Sequence, residues 1–273
     1  YFKMKKLLII ILVISAVSTA FAQDLSEGLQ AKNEGNDAYR SKDYVTAIQQ
    51  WEIYLNSDEE GAAEDANTLS LYNNSFRFAA NSFMQKKDFK SAYEYFEKYY
   101  EKNPKEKATD AKTAYEMAYC ANKVDKNDVA LSLYQTSADL NYRPDASMLR
   151  IAFIYREAGD EEKMTKVLKE AMIKYPKSRE RDKMAVLLTI PLLKEASDPF
   201  NAANELAKEA SIGDPAEYLA NMTKAVVKFE EAIPLFEEVL KVDPNNEQAI
   251  TYLGACKENI KTFVAYKDSL DKK

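Results

Sequence analysis

Along GNDAYRSKDYVTAIQQW, residues 35–51, small and apolar positions recur every three or four residues. Ala31, Gly35 and Ala38 share one helical face. Ala47, Trp51 and Tyr54 share a face on the next helix. Lys42-Asp43 between them reads as a turn made without glycine. Small residues at 35 and 47 let two antiparallel helices approach closely, and Trp51 plugs the space beside them. The stretch predicts a helix–turn–helix hairpin with small and large residues interleaved.

The same layout returns along the chain. In FRFAANSFMQKKDFKSAYEYFEKYYEKNP, Ala80 stands for Gly35, Phe83 for Ala38, Phe89 for Tyr44, Ala92 for Ala47, Phe96 for Trp51 and Tyr99 for Tyr54. A third copy carries Ala118, Ala121, Ala130 and Tyr134. A fourth carries Ala152, Tyr155, Leu168, Ala171 and Pro176, with its turn at Gly159-Asp160. FEEAIPLFEEVLKVDP contributes Ala232, Phe236, Val239 and Pro244. Ala130 to Met164 is 34 residues and Pro176 to Pro244 is 68, twice that period. The earlier spacings are longer, because SDEEGAAEDAN and KEKA add residues between hairpins.

A 34-residue period with this order of small and large residues resembles the tetratricopeptide repeat (TPR) family. The resemblance covers nearly all of residues 28–271. It implies an all-α fold, a right-handed superhelical array of antiparallel helix hairpins with a C-terminal capping helix. The units are 28–61, 73–106, 111–144 and 145–178, an irregular stretch 179–246, and a cap helix 247–271. In the irregular stretch, residues 179–197 read as a helix kinked near Pro191. Residues 198–213, bounded by Asp198-Pro199 and Gly213-Asp214-Pro215, read as an insertion. Residues 215–242 read as one long helix, and the last helix has a charged outer side (Lys257, Glu258, Lys261) suited to a terminal cap.

Composition agrees with helices. Six glycines in 273 residues is sparse against an average of about 7%. Residues 1–22 stand apart. Met4-Lys5-Lys6 is a basic start, Leu7 to Val17 is almost wholly apolar, and Ala20-Phe21-Ala22 is a small-x-small cleavage signature. They read as a cleaved secretory signal peptide, with a mature chain from Gln23 in the periplasm or secreted. Leu7 to Ala22 is only 16 residues, short of the roughly 20 that span a bilayer, so no membrane-spanning segment is expected after cleavage. Cleavage takes away Lys3, Lys5 and Lys6 and no acid, so the formal charge goes from −6 to −9. Such a balance argues against nucleic acid, whose phosphates need a basic footprint. Cys120 and Cys256 fall on apolar-leaning helical faces and read as buried free thiols.

Candidate chemistry is thin for an enzyme. The chain has no histidine, which removes Ser–His and Cys–His nucleophile pairs and the usual zinc ligands. No Gly-rich phosphate loop is present. Glu59-Glu60 and Glu161-Glu162 read as surface charges. No cofactor, metal or catalytic residue is expected.

Binding is the sharper expectation. In TPR proteins the first helix of each hairpin lines a concave groove. Carried over, those positions hold Lys32, Asn36, Tyr39 and Arg40 in the first unit, and Arg77, Asn81 and Met84 in the second. The third has Lys112, Tyr115, Tyr119, Asn122 and Lys123, and the fourth Leu149, Phe153 and Arg156. The row is basic, amide-rich and aromatic in an acidic chain. It implies a peptide segment with acidic groups or a free C-terminus, and a non-catalytic scaffold or adaptor of the bacterial envelope. The row also resembles chaperone-tail-binding TPR domains, at Lys32 and Asn36 in the first unit and at Lys112 in the third. Phe78 and Glu116 depart from that pattern, so a true carboxylate clamp is not expected. The alternative reading is a carbohydrate- or solute-binding accessory protein of an uptake system.

Overall fold

The structure is a computed structural model and describes residues 25–210 and 214–270. The expected signal peptide lies outside the described residues. Among those residues there are eleven α-helices and no strand. The chain divides into two compact units, residues 1–130 and 131–273.

The first unit holds α1 (Glu27–Arg40), α2 (Tyr44–Leu55), α3 (Ala66–Gln85), α4 (Phe89–Lys102) and α5 (Ala111–Lys123). Short 3₁₀ turns, Ala62–Glu64 and Glu106–Ala108, precede α3 and α5. Helix α6 (Asn127–Asp139) spans the division between the units. The second unit continues with α7 (Pro144–Glu157), α8 (Glu161–Lys174), α9 (Arg181–Ala210), α10 (Pro215–Val242) and α11 (Glu247–Leu270). Within each unit helices pack mainly on their sequence neighbours, the short-range arrangement of a repeat array.

One local device builds the hairpin turns. Helix α1 ends with Lys42 in the left-handed region (φ 65°), where its N–H reaches the Tyr39 carbonyl (3.0 Å) and the next N–H, of Asp43, reaches Ala38 (2.8 Å). That is a Schellman closure. Lys87, Asp125 and Gly159 hold the same place in later turns, with φ of 61°, 59° and 73°. The following aspartate then caps the next helix: Asp43 accepts from the Thr46 N–H, Asp88 from Ser91 and Asp160 from Lys163. Two residues therefore close one helix and open the next, so the turn can be short without glycine.

Packing follows the interleaving of sizes. Trp51, Ala47, Ala80, Ala92 and Phe96 are fully buried. A Cβ added at Gly35 would sit 2.6 Å from Trp51 Cδ1, so the glycine is there for close approach. The aromatic run at residues 93–100 is mostly interior, with Tyr93, Phe96, Tyr99 and Tyr100 buried. The first two hairpins repeat at an offset of 45 residues, from Gly35 to Ala80 and from Trp51 to Phe96. The extra length over 34 includes the first 3₁₀ turn, Ala62–Glu64.

The second unit corrects one expectation. Residues 198–210 are not an inserted loop but the second half of α9, which runs through both Pro191 and Pro199. Met184, Leu188, Leu192, Ala196, Phe200, Ala203 and Ala210 form one buried stripe at helical spacing. Phe200 stacks on Tyr252 of α11 at 4.4 Å and meets Phe229 and Phe236 of α10 edge-on. Burial of this stripe outweighs the hydrogen bonds that the two prolines cannot donate. In α11, Ala249, Cys256 and Phe263 face inward while Lys257, Glu258 and Lys261 face out.

Candidate functional site

The first helices of the first unit, α1, α3 and α5, carry most of the expected binding row. Two junctions, related by the 45-residue offset, show how its charges are used.

At the first junction Lys32 is engaged internally. Its Nζ lies 2.7 Å from Asp65 Oδ2 and donates to the Tyr54 hydroxyl at 3.3 Å. Tyr54 in turn donates to Asp65 at 3.1 Å. Asp65 also caps α3, accepting from the Thr68 N–H and hydroxyl. The hydrogen bond from Lys32 holds the Asp65 carboxyl well below the usual carboxylate range, and the same bond raises Lys32. Asn36 is engaged too: its Oδ1 accepts from Trp51 Nε1 at 3.3 Å. Tyr39 sits in an aromatic cluster with Tyr44, Trp51 and Phe78. Arg40 is exposed and pairs with Asp37.

At the second junction Arg77 replaces Lys32, Tyr99 replaces Tyr54, Asp110 replaces Asp65 and Thr113 replaces Thr68. Asp110 keeps its cap, accepting from the Thr113 N–H at 2.9 Å and hydroxyl at 2.6 Å, and Tyr99 reaches it at 3.4 Å. Arg77 behaves differently from Lys32. Its guanidinium lies 5.1 Å from the Phe78 ring centroid and 5.8 Å from that of Tyr99. Its Nε–H is buried without a hydrogen-bond partner among the described residues.

Beside Arg77, the structure brings Asn81 and Lys112 together on a residue the binding row did not include, Glu116. Lys112 Nζ lies 3.7 Å from Glu116 Oε1, Asn81 favours the charged carboxylate, and Glu116 Oε2 is buried without a hydrogen-bond partner among the described residues. Burial pushes the Glu116 carboxyl above its ordinary range, opposed by Lys112, Asn81 and Arg77. The α3–α5 seam is thus a mixed polar cluster, more evenly charged than a count of Lys, Arg and Asn suggests. The helical register of Glu116, four residues after Lys112, was the available signal for this pairing.

The other expected residues are placed as follows. Tyr115 is buried, and Tyr119 is half-buried with its ring 5.5 Å from Phe89. Asn122 donates to Asn127 at 3.0 Å. Lys123 is exposed over the Tyr119 ring. In the second unit, Arg156 is exposed over Phe153, which is half-buried, and Leu149 is buried. Both cysteines are free and buried, and burial pushes Cys120 up to about 12 and Cys256 to about 11. Among the described residues no cluster of acidic, Cys or His side chains suits a metal ion, and no helix is long and apolar enough to cross a membrane.

These features define a class of protein, an all-α array of antiparallel helix hairpins. Residues 146–178, covering α7 and α8, match the tetratricopeptide repeat family model. Proteins of that family generally mediate contacts between proteins, through the extended surfaces their stacked repeats create. A TPR-repeat protein of known structure from Bacteroides fragilis is 18% identical, over 85% of this chain and 98% of its own, with a TM-score of 0.42. One from Parabacteroides merdae is 13% identical over 89% and 93%, with a TM-score of 0.41. YrrB, described as a TPR protein with an unusual peptide-binding site, is 13% identical over 86% and 95%, with a TM-score of 0.37. No curated protein matches the chain.

Proposed function

We propose that this chain is a non-catalytic adaptor of the bacterial envelope that binds a protein segment along its first-helix row. The observation that carries the reading is the contrast between the two junctions. Lys32 is spent on Asp65, whereas Arg77 in the equivalent place is half-buried and stacked on rings, with no ion pair of its own among the described residues. A planar guanidinium held by aromatic faces is preorganised for a carboxylate or a backbone carbonyl. Lys123, exposed, supplies a further cation on a first helix of the same unit, and Arg156, exposed, is a separate cation on a first helix of the second unit. The envelope location rests on the signal-like residues 4–22.

Crosslinking in intact cells, followed by mass spectrometry of captured partners, tests the reading. The native chain is compared with Arg77→Glu/Lys123→Glu and, separately, with Arg156→Glu, after far-UV circular dichroism shows equal helicity. A partner captured by the native chain and lost from a reversed variant supports the row as the binding face. The same partners from all three chains refute it. Loss with Tyr119→Ala, while charge reversal changes nothing, favours the solute-binding alternative. Recovery in the cytosol of a chain still bearing residues 4–22 refutes the envelope assignment.

A further inference from the structure

A cleft of about 60 Å³ lies in the first unit, between the first hairpin turn and the end of α3. Lys42, Asp43 and Tyr44 line it from the turn, and Ala79, Phe83 and Lys86 line it from α3 and the residue after it. The volume is several times the roughly 10–15 Å³ that one water needs. It is far below the roughly 300–1,000 Å³ of a small-molecule site. The cleft therefore suits the end of a single side chain. Its two rings are held by neighbours. Tyr44 packs on Phe78 at 5.2 Å and on Tyr39 at 5.7 Å, and Phe83 packs on Tyr95 at 5.2 Å.

The polar groups of the cleft are unevenly committed. Asp43, its one carboxylate, already accepts from the Thr46 N–H at 3.2 Å and from the Thr46 hydroxyl at 2.8 Å. Ser82 donates to the Phe78 carbonyl at 3.1 Å. Lys42 and Lys86 are exposed, and neither has an ion pair among the described residues. Lys86 Nζ lies 5.9 Å from the Phe83 ring centroid, which keeps this amine beside the cleft wall. Lys42 has a φ of 65°, a conformation that glycine adopts more cheaply, so the turn carries an amine at the expense of its backbone. We propose that this cleft is a docking site for one acidic side chain of a partner protein. The aliphatic stem would lie against the Tyr44 and Phe83 rings, with the carboxylate between the two amines. Charge complementarity selects the occupant, because two uncommitted cations line the cleft with one carboxylate that is spent on capping α2. The proposal rests on the reading of this chain as a binder of a protein segment. It adds an anchoring point built by the α1–α2 turn and the end of α3 rather than by Arg77.

The test is a titration of the ¹⁵N-labelled full chain with the peptide acetyl-Gly-Gly-Glu-Gly-Gly-amide, and with its uncharged Gln counterpart, at low salt. The Glu peptide is expected to give saturable amide shifts at Val45, Ser82 and Phe83. It should bind at least about threefold more tightly than the Gln peptide. Salt at about 0.5 M should erase most of that preference. Lys42→Gln/Lys86→Gln should reduce it to under about twofold. Both lysines are exposed, and glutamine at position 42 keeps the same backbone strain, so the double variant should melt with the native chain. Absence of saturable shifts at the cleft, equal binding of the two peptides, a preference that survives the salt, or an unchanged preference in the double variant overturns the proposal. Charge-dependent shifts centred on Arg77, with none at the cleft, overturn it too and leave the first-helix reading standing. If the double variant melts below the native chain, Lys86→Gln alone decides by the same comparison.

Discussion

The tightest contact in the first hairpin is between Gly35 and Trp51. Gly35→Ala places a methyl carbon 2.6 Å from Trp51 Cδ1 and 2.7 Å from Nε1. Trp51 is fully buried and its ring nitrogen is tied to Asn36, so the ring has little room to retreat. Overpacking of this kind costs about 1–3 kcal/mol. Against it, alanine in a helix interior gains about 1 kcal/mol over glycine. With a rigid indole as the obstacle, the net expectation is a loss of about 1–2 kcal/mol. The second hairpin solves the same problem with the sizes exchanged, Ala80 against Phe96. Trp51→Phe alone should leave a void and cost about 1–3 kcal/mol. Gly35→Ala/Trp51→Phe transplants the second pair into the first hairpin, so the added methyl fills part of that void. The cycle should show a favourable coupling of about 1–2 kcal/mol. Urea denaturation followed by far-UV circular dichroism measures it, since the only tryptophan is lost in two of the four chains. Additive effects to within about 0.5 kcal/mol would show that the two positions are not sterically matched, and would refute the reasoning.

Three further outcomes are expected. Phe200→Ala should cost about 3–5 kcal/mol in the same denaturation assay, because its ring meets Phe229, Phe236 and Tyr252; a cost under about 1 kcal/mol would return residues 198–210 to the status of a loop. In the hairpin turns, Lys87→Gly should stabilise by about 0.5–1 kcal/mol and Gly159→Ala should destabilise by about 1 kcal/mol, since both positions have positive φ; thermal melting checks the opposite signs. The Asp65 carboxyl is depressed by Lys32, so its contribution is present above the unfolded value of about 3.9 and is lost as pH falls below it. Stability of the native chain should therefore drop more steeply below about pH 4 than that of Asp65→Asn, and parallel acid limbs in the two chains would contradict the ion pair.

The helical reading rested on residues whose meaning is local. Ala31, Gly35 and Ala38, then Ala47 and Trp51, mark two faces that exist as soon as the chain coils. Asp43, Asp88 and Asp160 cap helices from within three residues, and this too is a short-range matter. That left-handed closure falls on Lys42 and Lys87 was less visible, because lysine has no preference for positive φ and the turn imposes it.

What only the tertiary structure decided is the use made of each charge. Lys32 and Arg77 look alike in a row of groove positions. One meets an aspartate that caps the next hairpin's first helix, and the other is held on aromatic rings. The difference depends on partners 33 residues away for Lys32 and 22 away for Arg77. The same holds for Asn81 and Lys112, which converge on Glu116 from two helices. Pro199 reads as a helix breaker in isolation, yet α9 continues through it because Phe200 and Ala203 have a core to enter. Periodicity determined which residues face inward; long-range packing determined which polar side chains remain available to bind something.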